Sequence, residues 1–237
     1  MIELKNISFK IFDEKEQKDK YILKNMSVKF PENKITVITG QNGSGKSTLI
    51  KLIMGILSPT TGDIFFNGQN ITKTTVSERA NLGLTLAFQQ PVRFKGLTVG
   101  QLLNLANKSK NNLSDSCEYL SRVGLCAKEY INREFDDTLS GGEAKRIELA
   151  MALAKQGKVF LFDEPEAGID LWSFDGLVEI FKSLKNKTVI VVSHQKKLIE
   201  SADYVFVLND EGSVFGKRKD MEKFLNNPVC LKMGGRT

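Results

Sequence analysis

Residues 40–48 read Gly40-Gln41-Asn42-Gly43-Ser44-Gly45-Lys46-Ser47-Thr48, and this loop constrains the fold more than any other stretch of the chain. It issues from the apolar run Ile35-Thr36-Val37-Ile38, which reads as a buried strand over residues 35–39. It leads into residues 47–56, which read as a helix. A glycine-rich turn between strand and helix lets successive backbone N–H groups point inward, where they replace the water that solvates a phosphate. Gly40, Gly43 and Gly45 permit the curl; Gln41, Asn42, Ser44 and Thr48 belong to the same cradle. Lys46 adds a mobile positive charge toward the β- and γ-phosphates, and the Ser47 hydroxyl is suited to ligate Mg²⁺. The helix N-terminus places partial positive charge where the anion would sit. A glycine turn that binds nothing would need neither the strand before it nor the helix after it.

A second constellation lies far downstream. Val159-Phe160-Leu161-Phe162 is an apolar strand that ends in Asp163 and Glu164. Carboxylates at the carboxyl end of a buried parallel strand stand at the sheet edge where ligands bind. Asp163 is suited to hold Mg²⁺, which takes oxygen ligands and keeps several waters. Glu164 is suited to polarise the water that attacks a γ-phosphate.

The rest of the chain supplies the context. Residues 2–9 and 22–30 read as strands, with the charged stretch 13–20 as an exposed hairpin tip. Residues 62–68 and 84–88 read as further strands. Between residues 98 and 155 the apolar spacing becomes helical, and beyond residue 158 strands and helices alternate again. Alternation of that kind means a parallel sheet covered by helices. The expected fold is therefore α/β: a P-loop core with a parallel sheet, an N-terminal antiparallel β subdomain and an inserted α-helical subdomain.

Composition excludes several classes. The 34 basic and 28 acidic residues leave a net charge of +6, spread along the chain, so no nucleic-acid partner is expected. Three cysteines, Cys117, Cys126 and Cys230, are an odd number without metal-site spacing, and reduced thiols in a cytoplasmic protein are expected. Cys117 and Cys126 are read as packed in or near the helical insert, and Cys230 as a tail thiol. The start Met1-Ile2-Glu3-Leu4-Lys5 lacks a signal-peptide layout, and no apolar run reaches the length needed to cross a bilayer. Any membrane part of this system is expected on another chain.

Leu139-Ser140-Gly141-Gly142-Glu143, just before a predicted helix and upstream of Asp163-Glu164, resembles the signature motif of the ATP-binding cassette (ABC) family. A serine and two glycines at a helix start make an anion pocket. A single chain with a complete phosphate loop has no evident use for a second one. The resemblance implies a single ABC ATPase domain over residues 1–237. Residues 1–89 and 156–237 would form the nucleotide-binding core and residues 90–155 the helical signature subdomain. It implies ATP and Mg²⁺ as ligands, and a homodimer that forms head-to-tail on ATP binding, with Ser140, Gly141 and Gly142 capping the γ-phosphate held by the other subunit. Gln89 matches the glutamine that contacts Mg²⁺, with Gln90 as its neighbouring competitor. Ala167-Gly168-Ile169-Asp170 resembles the loop that signals between the sites, and His194, the only histidine, matches the switch histidine. The implied catalytic set is Lys46, Gln89, Glu164 and His194, and the implied metal set is Ser47, Gln89 and Asp163. Phe12 is the candidate for stacking on adenine, with Tyr21 as the alternative.

Within the family, Leu84–Val92 and Leu139–Arg146 look like the ATPase of the Suf iron–sulfur assembly system, in which a proline follows one residue after the glutamine and the signature continues with Glu and a basic pair. That resemblance implies a soluble Suf-type scaffold as partner. The segment 163–172 departs from it, because Glu166 replaces a common small polar residue and Trp172 is unusual there. The alternative is the ATP-binding subunit of a transporter whose membrane permease subunits are separate chains. A chromosome-type cassette would need a long coiled coil, a ribosome-acting one a second cassette, and a non-enzymatic module would be expected to have lost Lys46, Glu164 or His194.

Overall fold

The protein is described by a computed structural model covering residues 1–14, 16–107, 113–168, 171–184, 186–209 and 212–226. Chain order begins with β1 (Ile2–Asp13), β2 (Lys18–Phe30), β3 (Ile35–Gly40), α1 (Lys46–Met54), β4 (Thr61–Phe66) and β5 (Gln69–Asn70). Next come α2 (Val76–Leu82), β6 (Leu84–Ala87), β7 (Phe94–Thr98), α3 (Val99–Asn107), α4 (Leu113–Arg122) and α5 (Ala127–Tyr130). Then follow β8 (Glu134–Phe135), α6 (Gly141–Ala154), β9 (Val159–Asp163), α7 (Leu171–Ser183) and β10 (Thr188–Val192). The last elements are α8 (Lys196–Ser201), β11 (Tyr204–Asn209), β12 (Gly212–Lys217) and α9 (Glu222–Asn226), with a short 3₁₀ turn at Arg218–Met221.

Six strands form the central sheet in the order β12-β11-β3-β10-β9-β6. All neighbours pair parallel except β11 and β12. Its strands are buried on both faces, which is why they read as unbroken apolar runs. In β10 the pleat sends Val189 and Val191 to one core and Ile190 and Val192 to the other. The first core holds Phe160, Phe162 and Phe181 against α6; the second holds Leu49, Ile50 and Ile53 of α1 against Phe30 and Ile64. Parallel strands all point one way, so the ends of β3, β6, β9 and β10 share one edge. That edge carries the phosphate loop, Gln89, Asp163-Glu164 and His194.

A second sheet, ordered β2-β1-β4-β5, covers α1 from outside. Residues 13–20 were expected as an exposed tip, but the strands run further: Phe12 pairs with Asp19 and Asp13 with Lys18. The cross-strand ion pair of Lys10 with Asp19 offsets the low strand propensity of these charged residues. The helical stretch contains α3, α4, α5 and α6, with α6 in the middle and buried on most of its circumference. The small β7–β8 ladder, α2, β12 and α9 were not expected from the sequence. Cys117 on α4 is half-buried, whereas Cys126 is exposed at the start of α5, not packed as expected. Cys230 lies outside the described residues.

Arg79 of α2 fastens the far end of the phosphate-loop helix. Its side chain is fully buried and donates to the carbonyls of Leu52, Ile53, Ile71 and Thr72 and to the Thr74 hydroxyl. These include terminal carbonyls of α1, which have no partner inside the helix. Gly55 closes α1 in the left-handed region, at φ 81°, and a Cβ there would stand 2.8 Å from the Arg79 guanidinium. Replacing Arg79 by Met leaves several buried carbonyls unpaired, so R79M is expected to lose about 3 kcal/mol of stability. Urea unfolding measures it; a loss below about 1 kcal/mol would show that these carbonyls find other partners.

Candidate active site

The loop after β3 turns under the sheet edge and enters α1 at Lys46. Gly43 and Gly45 sit at φ 83° and 92°, a region that L side chains rarely adopt. A Cβ on Gly45 would stand 2.8 Å from a Leu23 methyl and 3.1 Å from the Ile22 carbonyl, at a φ that L side chains rarely adopt, so glycine suits the closure against β2. Lys46 is buried, and its ammonium donates to the carbonyls of Gly40 at 3.1 Å and Gln41 at 2.6 Å. Burial lowers its pKa, opposed by Glu164 and Asp163. The buried Ser44 hydroxyl has no partner among the described residues.

Asp163 ends β9 and is buried. Its Oδ1 accepts a 2.9 Å hydrogen bond from the Ser47 hydroxyl, which joins the second constellation to the first. Burial raises the Asp163 carboxyl, partly offset by that bond. Among the described residues no group of three or more His, Cys, Asp or Glu side chains could hold a metal. Ser47 and Asp163 are instead a sparse oxygen pair beside a phosphate cradle. That donor set fits Mg²⁺, which keeps waters and takes phosphate oxygens.

Glu164 is the first residue past β9 and has φ 45°, unusual for a residue with a Cβ. Its N–H donates to Val192 at the end of β10, and its Oε2 accepts from the Gln89 amide at 2.8 Å. His194 leaves β10 on the same edge. Burial pushes its imidazole below the ordinary value, the Lys46 charge adds to this, and Glu164 opposes it. Lys46, Ser47, Thr48, Gln89, Glu164 and His194, with Asn42, Gly43, Gly45 and Ile22, line one cleft of about 550 Å³.

The other sequence candidates lie elsewhere. Ser140 caps α6: its hydroxyl accepts from the Glu143 N–H, and the Glu143 carboxylate accepts from the Ser140 N–H. Ser140, Gly141 and Gly142 do not line the cleft of their own chain. Phe12 stands 58% exposed on the β1–β2 hairpin, outside the lining of the cleft. Tyr21 lines an adjoining recess of about 780 Å³, together with Asn42, Gly43 and Ser44. Asp170 lies outside the described residues. Two acidic residues escaped the sequence reading of the site. Glu166 accepts from the Ser193 hydroxyl, directly before His194. Glu148 accepts from the Phe88 N–H, directly before Gln89. For Glu148 the available signal was a Lys-Glu pair three residues apart on an apolar helix.

A parallel sheet in which β3 opens into a phosphate cradle, with paired acids at the end of β9 two strands away, defines a P-loop ATPase. Residues 23–167 match the family described as ABC transporter, and the chain belongs to that family. It is 41% identical over 79% of its length, and 79% of the other chain, to the uncharacterized ABC transporter ATP-binding protein MJ0035 of Methanocaldococcus jannaschii. It is 33% identical over 97% of its length, and 84% of the other chain, to the energy-coupling factor transporter ATP-binding protein EcfA1 of Mycoplasma mobile. Among solved structures, the dimeric post-hydrolysis ATP-binding cassette MJ0796, bound to ADP and Pi, superposes with a TM-score of 0.82 at 25% identity, covering 92% of this chain and 99% of that one. The chain is thus an ABC ATPase that takes ATP with Mg²⁺.

The α6 cap carries a pH signature. The Tyr130 hydroxyl, then the Ser140 backbone N–H, hold the Glu143 carboxyl down to about 2 from an ordinary 4.5. A lowered folded pKa means stability that is fully present above pH 4.5 and lost as pH falls through about 2. E143Q cannot titrate, so the stability gap between parent and variant should be constant above pH 4.5 and close toward pH 2. Urea midpoints across that range test this; a gap independent of pH would contradict it.

Proposed function

We propose that this chain hydrolyses ATP as a closed head-to-tail homodimer and drives separate membrane subunits. The loop 40–48 and Lys46 hold the triphosphate, while Ser47, Asp163 and Gln89 would hold Mg²⁺. Bound there, the ion would neutralise phosphate charge. Glu164 takes a proton from the attacking water, and His194 orients that water against the γ-phosphate. Ser140, Gly141 and Gly142 cap the γ-phosphate held by the other subunit, and the sequence Ala167-Gly168-Ile169-Asp170 resembles the loop that signals between the sites. The observation that carries this reading is that the loop 40–48 lines the cleft while Ser140, Gly141 and Gly142, at the start of α6, lie outside its lining. Neither explains the other within one chain.

Residues 1–89 and 156–237 act as the nucleotide core and 90–155 as the signature unit. An apolar groove of about 360 Å³ where they meet is lined by Ile56, Val76, Phe88, Val92 and Phe94. Each of these five is an exposed large hydrophobic, and contiguous exposed apolar surface marks a docking site. Among the described residues no helix is long and apolar enough to cross a membrane. In this reading the permease is another chain, with this one against its cytoplasmic side. The names of MJ0035 and EcfA1 favour transport over the Suf-like assembly role expected from the sequence. The Suf reading, with a soluble scaffold in the same groove, keeps one support: Gln89-Gln90-Pro91 together with Glu143 and the Lys145-Arg146 pair.

E164Q should retain ATP affinity, lose turnover by about a hundredfold and accumulate as an ATP-bound dimer in light scattering. Hydrolysis at the parental rate would refute Glu164 as base. The same trapped variant, purified from membranes and from the soluble fraction, separates the partners. A multi-span membrane protein supports transport, and a soluble scaffold supports the Suf reading.

A further inference from the structure

One buried ion pair is unaccounted for by the ATP site. Lys145 and Glu148 lie a turn apart on α6, 0% and 6% exposed, with Nζ and Oε2 3.1 Å apart. Both grip the same piece of backbone. Glu148 Oε1 accepts from the Phe88 N–H at 2.8 Å, while Lys145 donates to the Phe88 carbonyl and, at 3.3 Å, to the Gln89 carbonyl. The strand β6 ends at Ala87, so these peptide groups have left the sheet ladder. The next link is the 2.8 Å bond from the Gln89 side chain to Glu164.

Stability alone is a poor reason for the pair. Taking two charges out of water costs several kcal/mol each, and well-packed apolar residues often replace such pairs at no loss. The neighbours on α6, Ala144, Ile147 and Leu149, are already apolar and buried. Burial raises the Glu148 carboxyl, and the Lys145 charge and the Phe88 N–H pull it back. What the pair has that an apolar pair lacks is direction: an acceptor and a donor aimed at the two polar groups of one residue.

We propose that Lys145 and Glu148 are positioning residues for hydrolysis, fixing the Phe88–Gln89 backbone from α6 so that the Gln89 side chain stands against Glu164. The proposal rests on the reading of Gln89 and Glu164 as members of the hydrolytic site. It makes the helix that begins at Ser140 the rigid support of Gln89 as well.

The test is the double variant K145M/E148L, which removes both charges together and leaves neither unpaired. With the backbone grip gone and the phosphate loop intact, kcat should fall about tenfold or more while ATP affinity by calorimetry stays within about twofold. Circular dichroism should show a folded protein. A folded double variant with parental kcat overturns the proposal. So does an affinity loss that matches the loss in kcat, since a general structural defect would produce that. If the double variant does not fold, E148D keeps the charge pair but shortens the reach to Phe88. It should lower kcat with affinity intact, and parental kcat again overturns the proposal. Q89A, measured alongside, separates the two layers. Slow Q89A with fast K145M/E148L refutes the positioning role alone, while Q89A at the parental rate refutes the underlying site reading and the proposal with it.

Discussion

Everything in the proposed ATP site depends on replacing the hydration of phosphate with fixed backbone donors and one lysine. The cradle has to be rigid before the ligand arrives, because donors that reorganise give back much of what they offer. Three features supply that rigidity. Gly45 allows the loop to lie against Leu23 of β2, where a Cβ would collide. Lys46 is held by the loop's own carbonyls. Arg79 secures the far end of α1, so the helix that follows the cradle is braced at both ends.

The parallel sheet solves the second problem, which is bringing distant residues to one point. Four strands deliver their carboxyl ends to a common edge, and short links tie the ends together. Ser47 bonds Asp163 between the end of β3 and that of β9. Glu164 bonds Val192 from β9 to β10, and Ser193 continues to Ile38 of β3. Gln89 bonds Glu164 from β6 to β9. The left-handed backbone of Glu164 belongs to this arrangement: the chain turns sharply at the strand end and sets the carboxylate beside Gln89. Strained backbone at a functional edge persists only where the surroundings over-determine it, and here the sheet does so.

Much of this was legible in the residues, because buried parallel strands and phosphate loops leave strong local marks. The apolar runs of β3, β9 and β10 and the acids after β9 could be read directly. So could the capped start of α6 at Ser140. What escaped depends on partners distant in sequence. The β7–β8 ladder is short and half-exposed, and β12 exists because β11 offers it an edge. The β1–β2 hairpin extended through residues expected in a loop because its charges pair across the strands. Phe12 offered only a ring, and its distance from the cleft follows from hairpin register, which the charged stretch obscured. Lys145 and Glu148 looked like ordinary helix charges until the fold buried α6 in the first core.

The cleft holds half of the proposed site, and the other half, at the start of α6, lies outside its lining. The most direct measurement is therefore a crosslink between Asn42→Cys of one subunit and Ser140→Cys of another, introduced on separate copies and mixed. A head-to-tail ATP dimer gives an efficient intersubunit disulfide with Mg·ATP and little without nucleotide. No crosslink with Mg·ATP, in a pair of variants that both bind ATP, would contradict it.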